Sequence, residues 1–432
     1  MIDKLKKIKV PKISSSTKNV SKHKSERYIV GLDIGTEYIK ALIAKVDGTK
    51  AEIIGMGRTH QQLGDMQAGA IADIAAVVAN CDKALSLAEQ QAGLSARTVV
   101  IGIAGELVKG TTTTVRYRRN DPKRELTLDE VANIIDKVQK RAEQKARESL
   151  KLELGGKNVD IRLVNSALVS IEIDGYKVTN PIGFQGGDVV VQLYTAFAPL
   201  VHIGALERTA QELDLDLLAV AAEPFAVARS VIGDNTGSNK SAILMDVGGG
   251  TTDIAVINDG GVQGTKMFGI GGRAYTRAIE RELGIEFDEA EQLKTNLKDS
   301  SLNEKQAEEV KLALSKTLKV WTHGVELALS EFTNVDNLPQ RILLCGGGAS
   351  LAMIPANLEK TKWYKDLPFT KQPIIQHVNP SQVVDISDAT GQVNDHTFIT
   401  ALGLVRVGID TLQQNSDNQD SIKSKIDRML KV

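Results

Sequence analysis

Two stretches of this 432-residue chain are written to one plan. In YIVGLDIGTEYIKALIAKVDG, beginning at Tyr28, an apolar run reaches Asp33, a small-residue turn follows, and a second apolar run closes on Asp-Gly. SAILMDVGGGTTDIAVINDGG, beginning at Ser241, repeats that order about 213 positions later, with Asp246 standing for Asp33 and Gly248 for Gly35. Apolar, β-branched runs on either side of a glycine turn read as β-hairpins. Self-similarity at so long a spacing reads as a duplicated domain with a site between the halves. The length agrees, because a single hydrophobic core does not grow to this size and the chain must divide into lobes.

Around the hairpins the pattern is α/β. DIAAVVANCDKALSLAEQQAGL has helical periodicity and ends at Gly93. TVVIGIAG is a strand, and a capped helix is expected from about Thr127 to Leu150. VVVQLYTAFA, LVHIGALERTAQEL and LDLLAVAAEP restore strand-helix-strand order, the alternation of a mainly parallel sheet. A long helical stretch from about Arg273 to Phe332 precedes RILLCGGGASLAMI and ITALGLVRVGI.

Composition narrows the function. A formal net charge of -1 gives no global basic field, so nucleic acid is not an expected partner. Cys81 and Cys345 lie far apart without histidines at metal spacing, which points to reduced thiols in a cytoplasmic protein rather than a disulfide framework or a zinc site. No run of eighteen apolar residues suggests a membrane span, and no apolar segment follows the basic start as in a signal peptide. Membrane contact would be peripheral.

Glycine-rich turns between strands present backbone N–H groups in a concave nest that suits phosphate oxygens. Thr36, Thr251 and Thr252 add hydroxyl donors, and Asp33 and Asp246 place carboxylates where a magnesium ion would balance a triphosphate, through water. One such turn alone is ordinary hairpin punctuation; the pair, Gly35 with Gly248, Gly249 and Gly250, is what carries the reading. A third cluster, Gly346, Gly347 and Gly348, followed by Ser350, offers flat backbone for an adenine face. There is no GxxxxGK[ST] and no helix-opening GxGxxG, which disfavours P-loop and Rossmann sites.

In this order the motifs resemble the superfamily of actin, the sugar kinases and the DnaK chaperones. GLDIGTEYIK is similar to its first phosphate loop, DVGGGTTDIA to its second, CGGGASL to its adenosine motif, and AAEPFAVARSVI and TALGLV to its two connecting helices. The resemblance implies an actin-like fold of duplicated ribonuclease-H-like lobes that binds ATP with magnesium. It implies that Glu223 orients the attacking water, with a helix-opening Glu before Pro224 as the competing explanation. It sets Lys40 where actin carries a phosphate-contacting lysine, and a solvated strand lysine is the alternative. Glu291 and Lys294 match the ribose and adenine positions, or form an exposed i, i+3 pair. Gly271 and Gly272, in FGIGGRAYTRAIERELGIEFDEAEQLK, complete the implied nucleotide set.

Within the superfamily, residues from Tyr28 to Gly408 resemble the bacterial cell-division family FtsA, above all in IEIDGYKVTNPIGFQG near the end of an inserted α+β subdomain. The expected division is a disordered basic arm at 1–27, a first lobe from 28–96 and 188–238, an FtsA-type insertion at 97–187, and a second lobe at 239–408 with a helical part at about 273–340. A polar linker follows at 409–420. In the final segment, 421–432, Ile422, Ile426, Met429 and Leu430 share one helical face among lysines, either a membrane-binding helix or a terminal helix that packs on the body. FtsA proteins end in such an anchor. The resemblance therefore implies a weak ATPase at most, which polymerises head to tail on an anionic membrane and ties FtsZ to the inner face of the cell membrane at the division site. The alternatives are a PilM-type adaptor of pilus assembly, and a sugar kinase or chaperone. For the kinase no carbohydrate-binding Asp or Asn set was found, and for the chaperone too few residues follow Gly408.

Overall fold

The computed structural model describes residues 27–232, 240–296 and 302–416. Strands β1 (Arg27–Ile34) and β2 (Tyr38–Asp47) form the first expected hairpin, with Arg27 opposite Val46 and Ile34 opposite Ile39. Strand β3 (Lys50–His60) extends it antiparallel. After a two-strand ribbon, β4 (Met66–Gln67) and β5 (Ala70–Ile71), helix α1 (Ile74–Ala92) starts at an Asp73 cap and stops at Gly93, which takes the left-handed φ of 69° expected of a helix-ending glycine. Strand β6 (Thr98–Ile103) then returns parallel to β1.

An antiparallel unit follows: β7 (Lys109–Arg118), α2 (Leu128–Glu153), β8 (Ile161–Ile173), β9 (Tyr176–Val178) and β10 (Asp188–Pro199). Thr127 caps α2, whose buried Val131, Ile134, Ile135 and Val138 share a core with Leu168, Ile171, Val189 and Val191. Helix α3 (Leu200–Glu212), strand β11 (Asp216–Ala222), parallel to β6, and helix α4 (Glu223–Ile232) come next.

The later part begins with β12 (Ala242–Val247), β13 (Thr252–Asn258) and β14 (Gly261–Phe268). Three helices, α5 (Gly272–Leu283), α6 (Phe287–Asn296) and α7 (Glu304–Ser330), occupy the expected helical stretch. Then come β15 (Arg341–Cys345), α8 (Met353–Lys360), β16 (Ile374–His377), β17 (Ile386–Asp388) and α9 (Ile399–Ser416). The duplication shows in the sheets. One runs β11-β6-β1-β2-β3-β17, and the other contains β16-β15-β12-β13-β14, the same order with the same mixture of antiparallel centre and parallel flank. Both sheets are thus mixed rather than mainly parallel. The fold is actin-like.

Sheet membership differs from the expected boundaries in three places. Strand β6 pairs with β1 and β11, so the first lobe includes residues placed in the insertion. Strand β10 pairs antiparallel with β7 and β8 and so joins the insertion, whose sheet continues the second one through Gly264 opposite Thr111. After β16 the chain recrosses: β17 pairs with β3, and α9 packs on β1, β2, β6 and α4. The reason is apolarity. Ile399, Leu402, Leu404, Val405 and Ile409 of α9 are buried with Ile29, Val30 and Leu32, so this helix covers the first sheet, and it runs through 409–416 where a polar linker was expected. Arm residues 1–26, the rest of the linker and the amphipathic segment with Ile422, Ile426, Met429 and Leu430 lie outside the described residues. Among the described residues no helix is long and apolar enough to cross a membrane.

Candidate functional site

The turns of both hairpins open on one cleft of about 610 Å³. Asp33, Gly35, Thr36 and Lys40 line it from the first hairpin, and Asp246, Gly248, Gly249 and Thr251 from the second. The start of α4 contributes Glu223, and the start of α9 contributes Thr400 with Thr397 just ahead of it. Gly272, Glu291 and Lys294 form another part of the wall, and the cluster Gly346, Gly347, Gly348 and Ser350 a further part. Sixteen of the nineteen sequence-derived positions therefore share one space.

Both hairpins carry a charged pair across the same register, and the pairs differ in sign. In the first, Asp33 lies opposite Lys40, whose Nζ donates to Asp33 Oδ2 at 2.9 Å. In the second, Asp246 lies opposite another acid, Asp253. Like charges directly across a strand pair repel. Burial, and then the Asp246 charge, push the Asp253 carboxyl up to about 8, against the Thr251 hydroxyl that donates to its Oδ2 at 3.0 Å. Its Oδ1 is buried without a hydrogen-bond partner. Burial also raises Asp246, opposed by the hydroxyl of Thr400. Glu223 lies well above the usual carboxylate range, chiefly through burial and then through Asp33, Asp253 and Asp246, with Lys40 opposing.

Such a crowd of carboxyls, one with an orphaned oxygen, fits a cation. Among the described residues no three His, Cys, Asp or Glu side chains converge at ligating spacing. The donor set therefore suits a cation that keeps most of its water and takes the rest of its ligands from a bound anion, as magnesium does. Gly346 has φ +83°, and a Cβ there would stand 2.0 Å from Asp246 Oδ1, so no side chain is tolerated where this turn meets the second hairpin.

Glu291 and Lys294 are indeed an i, i+3 pair at 2.6 Å, but Lys294 is withdrawn from water and also donates to Thr276 Oγ1 at 2.8 Å and to the Gly272 carbonyl at 3.1 Å. Leu314 and Met353 give this end apolar surface. A planar, partly polar ring could rest there.

Three expected residues do not line the cleft. Thr252 is fully buried; its hydroxyl donates to the Ile270 carbonyl at 2.7 Å and accepts from Trp321 Nε1 at 2.9 Å, which makes it a core anchor. Gly250 is packed against Thr36, and Gly271 precedes α5 against the Gly248 carbonyl, so both are spacing residues. Sequence reasoning missed Asp253, Glu37, Arg273 and Thr400. The first had a signal: it lies seven positions past Asp246, as Lys40 lies past Asp33.

Comparison with known proteins follows the same direction. The model of the family described as cell division protein FtsA matches residues 243–403. The cell division protein FtsA of Pseudomonas aeruginosa is 27% identical over 273 residues, 62% of this chain and 61% of that protein, so the chain spans about three fifths of that relative's length. That of Streptococcus pneumoniae is 25% identical over 393 residues, covering 86% of this chain and 81% of the relative. Among solved structures, a PilM-PilN type IV pilus biogenesis complex has a TM-score of 0.64 at 17% identity, covering 88% of this chain and 98% of that one, a likeness of fold. The resemblance to FtsA read from the sequence is borne out.

Proposed function

We propose that this FtsA-like chain binds an adenine nucleotide with magnesium between its lobes and works as an actin-like cell-division protein. In this reading ATP closes the lobes, copies join head to tail, and the C-terminal segment holds the polymer on the inner face of the membrane, where it tethers FtsZ. The observation that carries the nucleotide reading is the convergence of two equivalent hairpin turns on one acidic cleft. Backbone N–H groups of the turns at Gly35 and at Gly249 would cradle phosphates, with Lys40 as the nearby cation. Asp33 and Asp246 would hold magnesium through water, and Asp253 adds a third acid to that side. Magnesium would neutralise phosphate charge. Glu223, held by the start of α4, would orient a water at the terminal phosphate, while Glu291, Lys294 and the Gly346 turn would take the nucleoside.

The cell-division part is supported by sequence likeness to FtsA relatives, whereas the PilM complex supports only the fold. Detection of FtsZ, rather than pilus components, in a pull-down separates the two. For the nucleotide, Asp33→Ala and Asp246→Ala are expected to weaken magnesium-dependent ATP binding by about tenfold or more in calorimetry. Unchanged affinity in both variants would sink the assignment.

A further inference from the structure

The two lobes also meet at the wall of the cleft, through two residues that the motif reading passed over. Glu37 follows Thr36 in the first turn, and its carboxylate crosses to the second lobe: Arg273 Nε donates to Glu37 Oε2 at 2.7 Å. His60 Nε2 lies 2.7 Å from the other carboxylate oxygen, and Arg273 Nη2 reaches the Gln61 carbonyl at 3.5 Å. The ion pair is largely withdrawn from water, with side-chain exposures of 11% for Arg273 and 20% for Glu37. Arg273 is itself pinned to the second turn. Its backbone N–H donates to the Gly249 carbonyl at 2.8 Å, and that of Gly272 to the Gly248 carbonyl at 2.9 Å, so the start of α5 must move with that turn. The backbones are in contact at the same place. A Cβ on Gly249 would stand 2.8 Å from Glu37 Cβ, and one on Gly250 would stand 2.8 Å from Thr36 Oγ1.

We propose that Glu37 and Arg273 are a positioning pair that clasps the two phosphate-cradling turns together and sets how long a nucleotide stays between them. This rests on the nucleotide reading above. A phosphate chain lying between the turns can leave only when they part, and parting them breaks a charge-assisted hydrogen bond in a partly desolvated setting, the kind that is costly to leave unmade. Because Arg273 Nε and Nη2 are directed to Glu37 and the Gln61 carbonyl, the side chain acts on the nucleotide through the geometry of the turns.

The test uses the full chain, magnesium and a fluorescent ATP analogue, with dissociation followed by stopped flow. Glu37→Gln and Arg273→Gln are each expected to speed dissociation about tenfold, the fold-change that corresponds to one such bond. The double variant should dissociate no faster than either single one, because both remove the same contact. Arg273→Lys, which keeps a cation, should recover part of the residence time, and melting temperatures measured alongside identify any variant that fails to fold. Dissociation at the wild-type rate in both single variants would overturn the proposal. So would additive effects, or a fast Arg273→Gln beside an unaltered Glu37→Gln, which would make the arginine a direct phosphate ligand. If the wild type fails to retain the analogue, the nucleotide reading falls and takes the clasp with it; if the wild type retains it and the variants match, the clasp alone falls.

Discussion

Asp253 is where the structure predicts a measurable conflict between stability and binding. Its carboxyl is buried opposite Asp246, with an ordinary value of 3.8 raised to about 8. An acid whose folded-state pKa is raised contributes nothing adverse below its unfolded value, and stability is lost as pH rises from there through the folded value. Across that window the folded state binds more protons than the unfolded one, so the slope of stability with pH is negative. At about 1.36 kcal/mol per pH unit, the cost at pH 7 is on the order of 4 kcal/mol, against less than about 1 kcal/mol near pH 4. Asp253→Asn removes the charge while its amide oxygen can still accept from Thr251. Without nucleotide and in chelator the variant should be more stable at pH 7 by about 2–4 kcal/mol, or several degrees in melting temperature at about 2 °C per kcal/mol for a cooperative unit of ~200 residues. The stabilisation that wild type gains from magnesium and ATP should shrink in the variant, because the charge removed is one the cation would have neutralised. Melting curves from pH 4 to 9, with and without magnesium–ATP, read both effects. A variant no more stable than wild type at pH 8, or a gap that does not close toward pH 4, would refute the argument.

Two further outcomes follow from the same geometry, and a third from the sequence of the C-terminal segment. Glu223→Gln should slow any ATP turnover while leaving ATP affinity within a few-fold, since orienting water matters to the reaction more than to the ground state; equal losses in both would mark the residue as structural. Thr252→Val should destabilise by about 1–3 kcal/mol by orphaning Trp321 Nε1, with ATP affinity retained, and an unaltered melting temperature would contradict the core-anchor role. Ile426→Glu and Met429→Glu should abolish co-sedimentation with anionic liposomes while sparing ATP affinity, and raised salt should weaken wild-type binding without ending it; co-sedimentation equal to wild type would remove the tether.

The duplication was legible because a hairpin is a local object: two apolar runs and a glycine turn, at Asp33 to Lys40 and again at Asp246 to Asp253, declare themselves within a few residues. The same locality also held the means to avoid one error. Successive strand side chains point to opposite faces, so Thr251 and Thr252 could not both face the cleft, and the alternation that turns Thr251 and Asp253 toward it buries Thr252 beside Trp321. Helix ends at Gly93 and at the Thr127 cap were readable for the same reason.

What the sequence by itself determined, then, was the pair of hairpins, the glycine turns, the acids set beside them and the family they resemble. Only the tertiary structure decided that α9 crosses back to the first sheet, that β10 joins the insertion, and that Glu37 meets Arg273 across 236 positions. Periodicity reports which face of an element is apolar but not which of two equally apolar sheets it will cover, and a surface-type residue such as Glu or Arg gives no sign in sequence of a partner that reaches it only when two lobes close.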